Sequence, residues 1–291
     1  MKVAIVGYGV EGVSSLRHWQ AGGHDVTVCD QNLELELPDG VSAHLGPDYL
    51  KQLDEYDLIV RTAGLNPDKI IKANSPEIAS KITSATNEFY RLSPTKNIIG
   101  VTGTKGKGTT STLIYQLLKA AGKTVHLGGN IGVSALDLLE QNIQADDWVV
   151  LEQSSFQLCD QTYSPHIAVC LMVVPEHLDW HADMEEYTTA KQQLFAWQKH
   201  DDIAIFDRLS QHSVDIASIS MAEKTSYEVP TRGAEPAEQT GAYVSGEQIY
   251  IDGTPVCSSS DVKLLGRHNL ENVCAALLAT WDLIGQNTDL V

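Results

Sequence analysis

The chain has no apolar run approaching the about eighteen residues that a membrane-spanning helix requires. Its N-terminus also lacks the basic-then-apolar layout of a secretory leader. Positive charge is scarce: 20 Lys and Arg stand against 38 Asp and Glu, a formal net charge of −18 over 291 residues. Neither a nucleic-acid partner nor an anionic membrane surface is expected, because each needs a basic face to neutralise phosphates. Any phosphate ligand must then be held locally, by backbone amides, one or two lysines and metal ions acting against the overall field. No CxxC pair occurs among Cys29, Cys159, Cys170, Cys257 and Cys274. This odd, scattered set points to buried structural thiols in a reduced, cytoplasmic protein. Internal repeats and low-complexity segments are absent, and residues 231–240 read as a solvated loop.

What is present is an ordinary globular composition, 43% hydrophobic, in a chain long enough for two domains. Residues 2–6 read as a strand, 11–21 as a helix and 25–29 as a strand closing on Asp30. A strand at 41–44 follows, and DLIVRTAGLNP (57–67) is a strand running into a Pro-stopped loop. Strands alternating with helices predict a parallel sheet. The polar stretch SPTKN (93–97) predicts a boundary that divides the chain into 1–93 and 94–291. Beyond it come NIIGVTGT as a strand, a helix over 107–121, the strands KTVHL, DWVVLEQ and HIAVCLMVV, and a helix over 183–199. The strand AIF, a hairpin over 241–256 and an Ala-rich helix over 269–284 complete the pattern.

Two glycine loops carry the chemistry. The first, VGYGVEG, spells GxGxxG through Gly7, Tyr8, Gly9, Val10 and Gly12. Two glycines let the backbone turn tightly against a pyrophosphate, the third permits close packing, and the helix N-terminus favours an anion. With Asp30 placed to take a ribose hydroxyl, the stretch alone predicts a dehydrogenase. The bland alternative is a tight strand-to-helix turn with no ligand.

The second loop, GVTGTKGKGTT (100–110), lies where an apolar strand gives way to a helix. Gly103 and Gly106 turn the backbone, Lys107 reaches outer phosphates, and a hydroxyl just beyond can meet Mg²⁺. Gly100 lies one residue too far upstream for the strict GxxxxGK[ST] form. Gly108 replaces the residue after the lysine, leaving Thr109 as the metal-side hydroxyl.

At this loop the sequence resembles the ATP-dependent Mur ligases, which build the cytoplasmic peptidoglycan precursor. The G-T-x-G-K element is Gly103, Thr104, Lys105, Gly106 and Lys107, and GGNIG (128–132), EHLDWH (176–181), the TAK of 189–191 and GRHNLENVCAA (266–276) fall in the family's order. LEQSSFQL (151–158) is similar to the run found in the D-glutamate-adding branch. The resemblance covers essentially the whole chain. It implies an α/β protein with an N-terminal Rossmann-like domain, then a central P-loop ATPase-type domain with a mostly parallel sheet and a small β-hairpin region. It further implies a monomer that adds D-glutamate to UDP-N-acetylmuramoyl-L-alanine through an acyl phosphate, using ATP and Mg²⁺. A third domain that would hold D-glutamate lies outside 1–291, so a truncated, catalytically incomplete chain is expected.

Under that resemblance the first loop takes UDP-sugar rather than NAD, through Gly7, Tyr8, Gly9, Val10 and Gly12, with Asp30 close to uridine and Thr62, Ala63 and Gly64 alongside. The family usually has proline at the position of Ala63. Asn130, Ser154 and Ser155 belong with the muramoyl-alanine end. ATP falls to Gly103 through Thr109, with His268, Asn269 and Asn272 around the base. The implied catalytic residues are Lys107, Glu152, His177 and Lys191, the last as a carbamate. Thr109, Glu152, His177 and Lys191 are the implied metal ligands. Met172 stands where the family often has Asn. No residue is expected to act as a nucleophile, for no His–Asp partnership is implied. The competing expectations are a sister folylpolyglutamate-type ligase, a NAD(P) oxidoreductase and a non-catalytic UDP-sugar-binding module.

Overall fold

A computed structural model describes residues 1–291. The first part of the chain runs β1 (Lys2–Val6), α1 (Val10–Ala21), β2 (Asp25–Asp30), β3 (Ser42–Leu45), β4 (Leu58–Arg61), α2 (Pro67–Ala73) and β5 (Ile82–Ser84). These strands form one parallel sheet in the order β3-β2-β1-β4-β5. Alternate residues of β1 divide between its two faces, as strand geometry requires. Val3 and Ile5 pack with Leu16 and Trp19 of α1, whereas Ala4 and Val6 pack with Ile59, Ile70 and Ile78 on the other side.

The chain then crosses through α3 (Ala85–Leu92), whose N-terminus is capped by Ser84 Oγ accepting from Asn87 N. Phe89 and Tyr90 of α3 pack with Ile98, Val149 and Leu151 of the second sheet. That second part is β6 (Ile98–Thr102), α4 (Lys107–Ala120), β7 (Val125–Gly129), α5 (Ala135–Leu138), β8 (Trp148–Glu152), α6 (Ser155–Leu158), β9 (Ile167–Cys170) and α7 (Met184–Gln192). It continues with β10 (Ile203–Asp207), α8 (Gln211–Ser218), β11 (Glu223–Glu228), β12 (Ala242–Ser245), β13 (Gln248–Ile251), β14 (Thr254–Ser258) and α9 (His268–Thr280). Nine strands align as β14-β13-β12-β11-β10-β9-β6-β8-β7. From β7 through to β12 the pairs are parallel, and β12–β14 form the antiparallel end. Helices α4 and α9 lie side by side and bury Ile114, Leu118, Ala276 and Leu277 against Val101, Val150 and Val169. No helix is long and apolar enough to cross a membrane.

Three expected boundaries shift, each for a local reason. The strand expected through Val174 stops at Cys170, because Met172–Val174 leave the ladder to bond with Thr104. The helix expected over 183–199 ends at Gln192: beyond it, Trp197 N donates to Ser164 Oγ (3.0 Å) and its indole N–H to Gln161 O (3.2 Å), which turns the chain aside. Helix α9 stops at Thr280 and continues only as turns.

The two sheets are joined by a buried cation. Arg61, the last residue of β4, is 1% exposed. Its Nε donates to Asp160 Oδ2 at 2.6 Å, Nη2 binds the other carboxylate oxygen, and Nη2 also donates to Phe156 O at 2.9 Å. Burial pulls the guanidinium's pKa down, but the hydrogen bonds and charge of Asp160 outweigh it and hold the group above its ordinary value. Further out, Ser14 Oγ and Arg17 Nη2 donate to Asp137 Oδ1 (2.6 and 2.7 Å), and Trp180 Nε1 donates to Gly64 O (3.1 Å).

Removing one partner of a buried pair strands the other's charge, at a cost of about 3–5 kcal/mol. Asp160→Ala, which isolates the buried guanidinium, should therefore lower unfolding free energy in urea by about 3 kcal/mol. Arg61→Met should cost less, because the side chain of Asp160 is 21% exposed and can hydrate. The reverse order would show that the joint is not held by this pair.

Candidate active site

Four parallel strands end level with one another. Glu152 of β8 pairs with Gly129 of β7 and with Val101 of β6, and Thr102 of β6 pairs with Cys170 of β9. The residues that follow these ends therefore meet along one edge of the sheet, where parallel α/β folds bind ligands.

The loop from β6 into α4 occupies the middle of that edge. Gly103 (φ +146°) and Gly106 (φ +87°) adopt backbone conformations that side chains rarely take. A Cβ at Gly106 would lie 2.2 Å from Asn272 Oδ1, and one at Gly103 would lie 2.7 Å from Leu171 Cβ. Gly108 is different, since a Cβ there would meet only Ile131 Cγ2 at 3.8 Å. Thr110 turns inward to donate to Asn272 Oδ1 (3.2 Å), while the neighbouring Thr109 is half-buried. The first amides of α4 are left for an anion.

Lysines crowd this loop from both sides. Lys107 Nζ folds back to donate to Thr104 O (3.0 Å) and Gly103 O (3.3 Å). Burial lowers its pKa against the opposing pull of Glu152 and Glu176. Lys191, 1% exposed on α7, donates to Gly103 O at 2.9 Å from beneath. Its pKa is pushed down to about 7 by burial. Lys105 reaches over the top to Glu176 Oε1, and that hydrogen bond holds the Glu176 carboxyl below its usual range.

A strap from β9 closes over the loop. Thr104 N donates to Met172 O (2.9 Å); its hydroxyl donates to Val174 O and accepts from Val174 N, both at 3.0 Å. Tyr187 OH lies 3.1 Å from the same hydroxyl, and its ring lies under Lys191 Nζ at 4.5 Å from the centroid. The strap leads to His177, which is exposed, sits at φ +59° and packs its ring 4.8 Å from that of Phe156.

On the β8 side, Glu152 is buried and accepts from Asn130 Nδ2 at 3.2 Å. Burial raises its pKa, opposed by Lys107, Asn130 and Lys191. No three His, Cys, Asp or Glu side chains converge into a preformed metal cage. One carboxylate at the loop suits an ion such as Mg²⁺, which keeps its waters and takes substrate phosphate oxygens.

At the far end of the loop, α9 supplies the next wall. Lys105, Gly106, Met172, His268 and Asn272 line a cavity of about 40 Å³ with Tyr227 and Glu271. Asn272 Nδ2 donates to Asn269 Oδ1 at 2.9 Å, so the two asparagines brace each other. A larger, mostly hydrocarbon-lined cavity of about 590 Å³ between α4, α9 and β14 offers little to a phosphate.

The first glycine loop sits on the other sheet. Gly7 (φ +92°) approaches Thr62 so closely that a Cβ would lie 2.2 Å from its Oγ1, and a Cβ at Gly12 would lie 2.3 Å from Gly7 O; Gly9 faces open space. Tyr8 N donates to Asp30 Oδ2 (2.8 Å) and Asn32 N to Asp30 Oδ1 (2.9 Å), so Asp30 braces the turn itself. Val10, the first residue of α1, is 75% exposed. Ala63 N donates to Glu11 Oε2 at 2.7 Å, a bond that proline at this position would forbid. Gly64, through Trp180, touches the strap's far end.

Between the loops lies α6. Ser154 Oγ accepts from Gln157 N (3.3 Å) and Gln157 Oε1 accepts from Ser154 N (3.1 Å), a capping box. Ser155 Oγ is 2.9 Å from His181 Nε2, and His181 Nδ1 is 3.6 Å from Glu186 Oε1. That Ser–His–Glu row is a partnership the sequence did not foreshadow. Ser155 and His181 are only 2% and 1% exposed, so the row is buried within the fold.

Glu11, Gln157, Tyr187, His181, Glu176 and Tyr227 border the two loops and were not singled out from the sequence. Glu176 and His181 fall inside EHLDWH and Gln157 inside LEQSSFQL, where its spacing from Ser154 is that of a capping box; nothing local marks Glu11, Tyr187 or Tyr227.

The Mur ligase middle domain matches residues 101–280. Proteins named UDP-N-acetylmuramoylalanine–D-glutamate ligase from Clostridium botulinum (strain Loch Maree) and Clostridium tetani are 35% and 36% identical to this chain, over 94% of its length in each case. The chain spans 60% of the length of each of these relatives. A Neisseria UDP-N-acetylmuramate:L-alanyl-gamma-D-glutamyl-meso-diaminopimelate ligase superposes with a TM-score of 0.62 at 18% identity, covering 97% of this chain and 93% of that one. The Thermotoga maritima MurF ligase, solved in complex with ADP, gives 0.50 at 16% identity, covering 97% and 59%. These two solved structures share the fold, the family model runs from within β6 through Gly103–Lys107 to the end of α9, and the chain belongs to the Mur ligase family.

Proposed function

We propose that the chain carries the UDP-sugar and ATP sites of a ligase that joins D-glutamate to UDP-N-acetylmuramoyl-L-alanine. The observation that carries this reading is the presence of two separate glycine loops, one on each sheet, with lysines gathered only at the second. A triphosphate needs those cations; a diphosphate on an uncharged linker can rest on amides alone. The relatives named as D-glutamate ligases support the choice of substrates.

Joining a carboxylate to an amine in water is uphill, so the carboxylate is first made into an acyl phosphate. An alanyl carboxylate oxygen attacks the γ-phosphorus and ADP departs. The amine of D-glutamate then attacks the acyl carbon, loses a proton, and inorganic phosphate leaves. Lys107 and the α4 amides hold the outer phosphates and balance the charge brought together by two anions. Asn130 and Ser154 face the alanyl end, with Ser155 behind them, while His268, Asn269 and Asn272 enclose the base. Thr109 and Glu152 would hold the Mg²⁺ of the outer phosphates, and His177, with Lys191 once carbamylated, a second Mg²⁺; these ions would supply Lewis-acid stabilisation of the phosphates when bound. We assign the sugar nucleotide to the first sheet, 1–93, and ATP to 94–291.

Calorimetric titration tests the whole reading: UDP-N-acetylmuramoyl-L-alanine and UDP should bind, and NAD should not. Saturable NAD binding with no response to UDP compounds would overturn it. Lys107→Ala should weaken ATP binding by about tenfold or more, the worth of a hydrogen bond to a charged group, and leave UDP affinity intact. Equal ATP affinity in the variant would remove the loop from the ATP site.

Lys191 gives two further tests. In bicarbonate and Mg²⁺ at neutral pH, native mass spectrometry should find one CO₂ added at Lys191; an unmodified lysine in the substrate-bound enzyme would sink the carbamate. Without CO₂, the ammonium's burial is a penalty. Its folded-state pKa of about 7 lies below the ordinary 10.5, so the penalty is complete below pH 7 and fades as pH rises towards 10.5. Lys191→Met should therefore stabilise the ligand-free protein by a few kcal/mol at pH 6 and by far less near pH 10, read from urea midpoints. A gain that grows with pH would contradict the assigned burial.

A further inference from the structure

Glu11 is the acidic residue in the first turn of α1, at the helix end the first glycine loop offers to an anion. A carboxylate there opposes a diphosphate unless its lone pairs and charge are engaged elsewhere. Both oxygens are engaged. Oε2 accepts from Ala63 N, on the loop after β4 of the same sheet, and Oε1 accepts from Gln157 Nε2, on α6 of the other sheet, each at 2.7 Å. Gln157 is 3% exposed and is oriented by the Ser154 capping box, so its amide is aimed rather than incidental. One of the two donors that hold the first loop's carboxylate, Gln157 Nε2, therefore arrives only when α6 is docked.

We propose that Glu11 and Gln157 form a charge-masking pair that makes diphosphate affinity at the first loop depend on contact with the second sheet. Gln157 acts as a positioning residue without touching the ligand, and Glu11 is the group it restrains. The pair deepens the reading above and rests on the first loop taking UDP.

The test is titration of UDP into the wild-type chain, Gln157→Leu, Glu11→Gln and the double variant. Gln157→Leu should weaken UDP binding by about tenfold, because the carboxylate it releases then stands against the diphosphate, although Gln157 lies in the other domain. Glu11→Gln should bind at least as tightly as wild type, and adding Gln157→Leu to it should change nothing further. A direct contact between Gln157 and UDP predicts the same loss in both backgrounds, and that result overturns the proposal. Should Gln157→Leu fail to fold, the exchange Glu11→Gln with Gln157→Glu keeps one amide facing one carboxylate and serves instead. It should bind UDP better than Gln157→Glu alone, and equal affinities would overturn the pair. Wild-type protein that ignores UDP would refute the UDP reading and the pair with it; wild type that binds UDP alongside an unaffected Gln157→Leu refutes the pair alone.

Discussion

The level ends of β7, β8, β6 and β9 are the constraint on which the second glycine loop and its surroundings depend. Because parallel pairing fixes Glu152 opposite Gly129 and Val101, and Thr102 opposite Cys170, the next residues have little freedom in where they emerge. Asn130, the loop at Gly103 and the strap at Met172 arrive together by register alone. A slip of one residue in any of these strands would reverse which face each side chain meets. The apolar sheet core beneath is what forbids such a slip, since Val101, Val150 and Val169 would then exchange oil for solvent or for the wrong layer.

Charge is distributed with the same economy. A chain of net charge −18 places Lys105, Lys107 and Lys191 around one turn of backbone and leaves the first glycine loop without a lysine of its own. Lys191 is the unusual member. It lies beneath the loop, against the ring of Tyr187 and the carbonyl of Gly103, where an ammonium is poorly solvated. Such burial is destabilising in itself, and strained or desolvated groups of this kind gather where function holds them.

Much of this was legible in the sequence because it is local. The glycine loops announce their turns, and the helix after each follows from periodicity; Gly103, Gly106 and Lys107 stand where the motif puts them. The strand pattern also gave the parallel sheets. What stayed hidden depends on distant partners. Nothing near Arg61 in the chain forecasts Asp160, ninety-nine positions on, and nothing near Glu11 forecasts Gln157. The early end of β9 belongs to the same class: LMVV is as apolar as a strand should be, yet Thr104 draws it out of the ladder. Asp30 occupies the place the motif assigns to it, and its carboxylate serves the turn's own amides.

Alanine at position 63 has a consequence for how chains of this fold vary. Its N–H exists only because the residue is not proline, and that N–H holds one oxygen of Glu11. Positions 11 and 63 are thus one character rather than two. Across homologues an acid at the first should travel with an N–H at the second, and a proline at the second with a neutral residue at the first, so that an alignment column pair records a hydrogen bond.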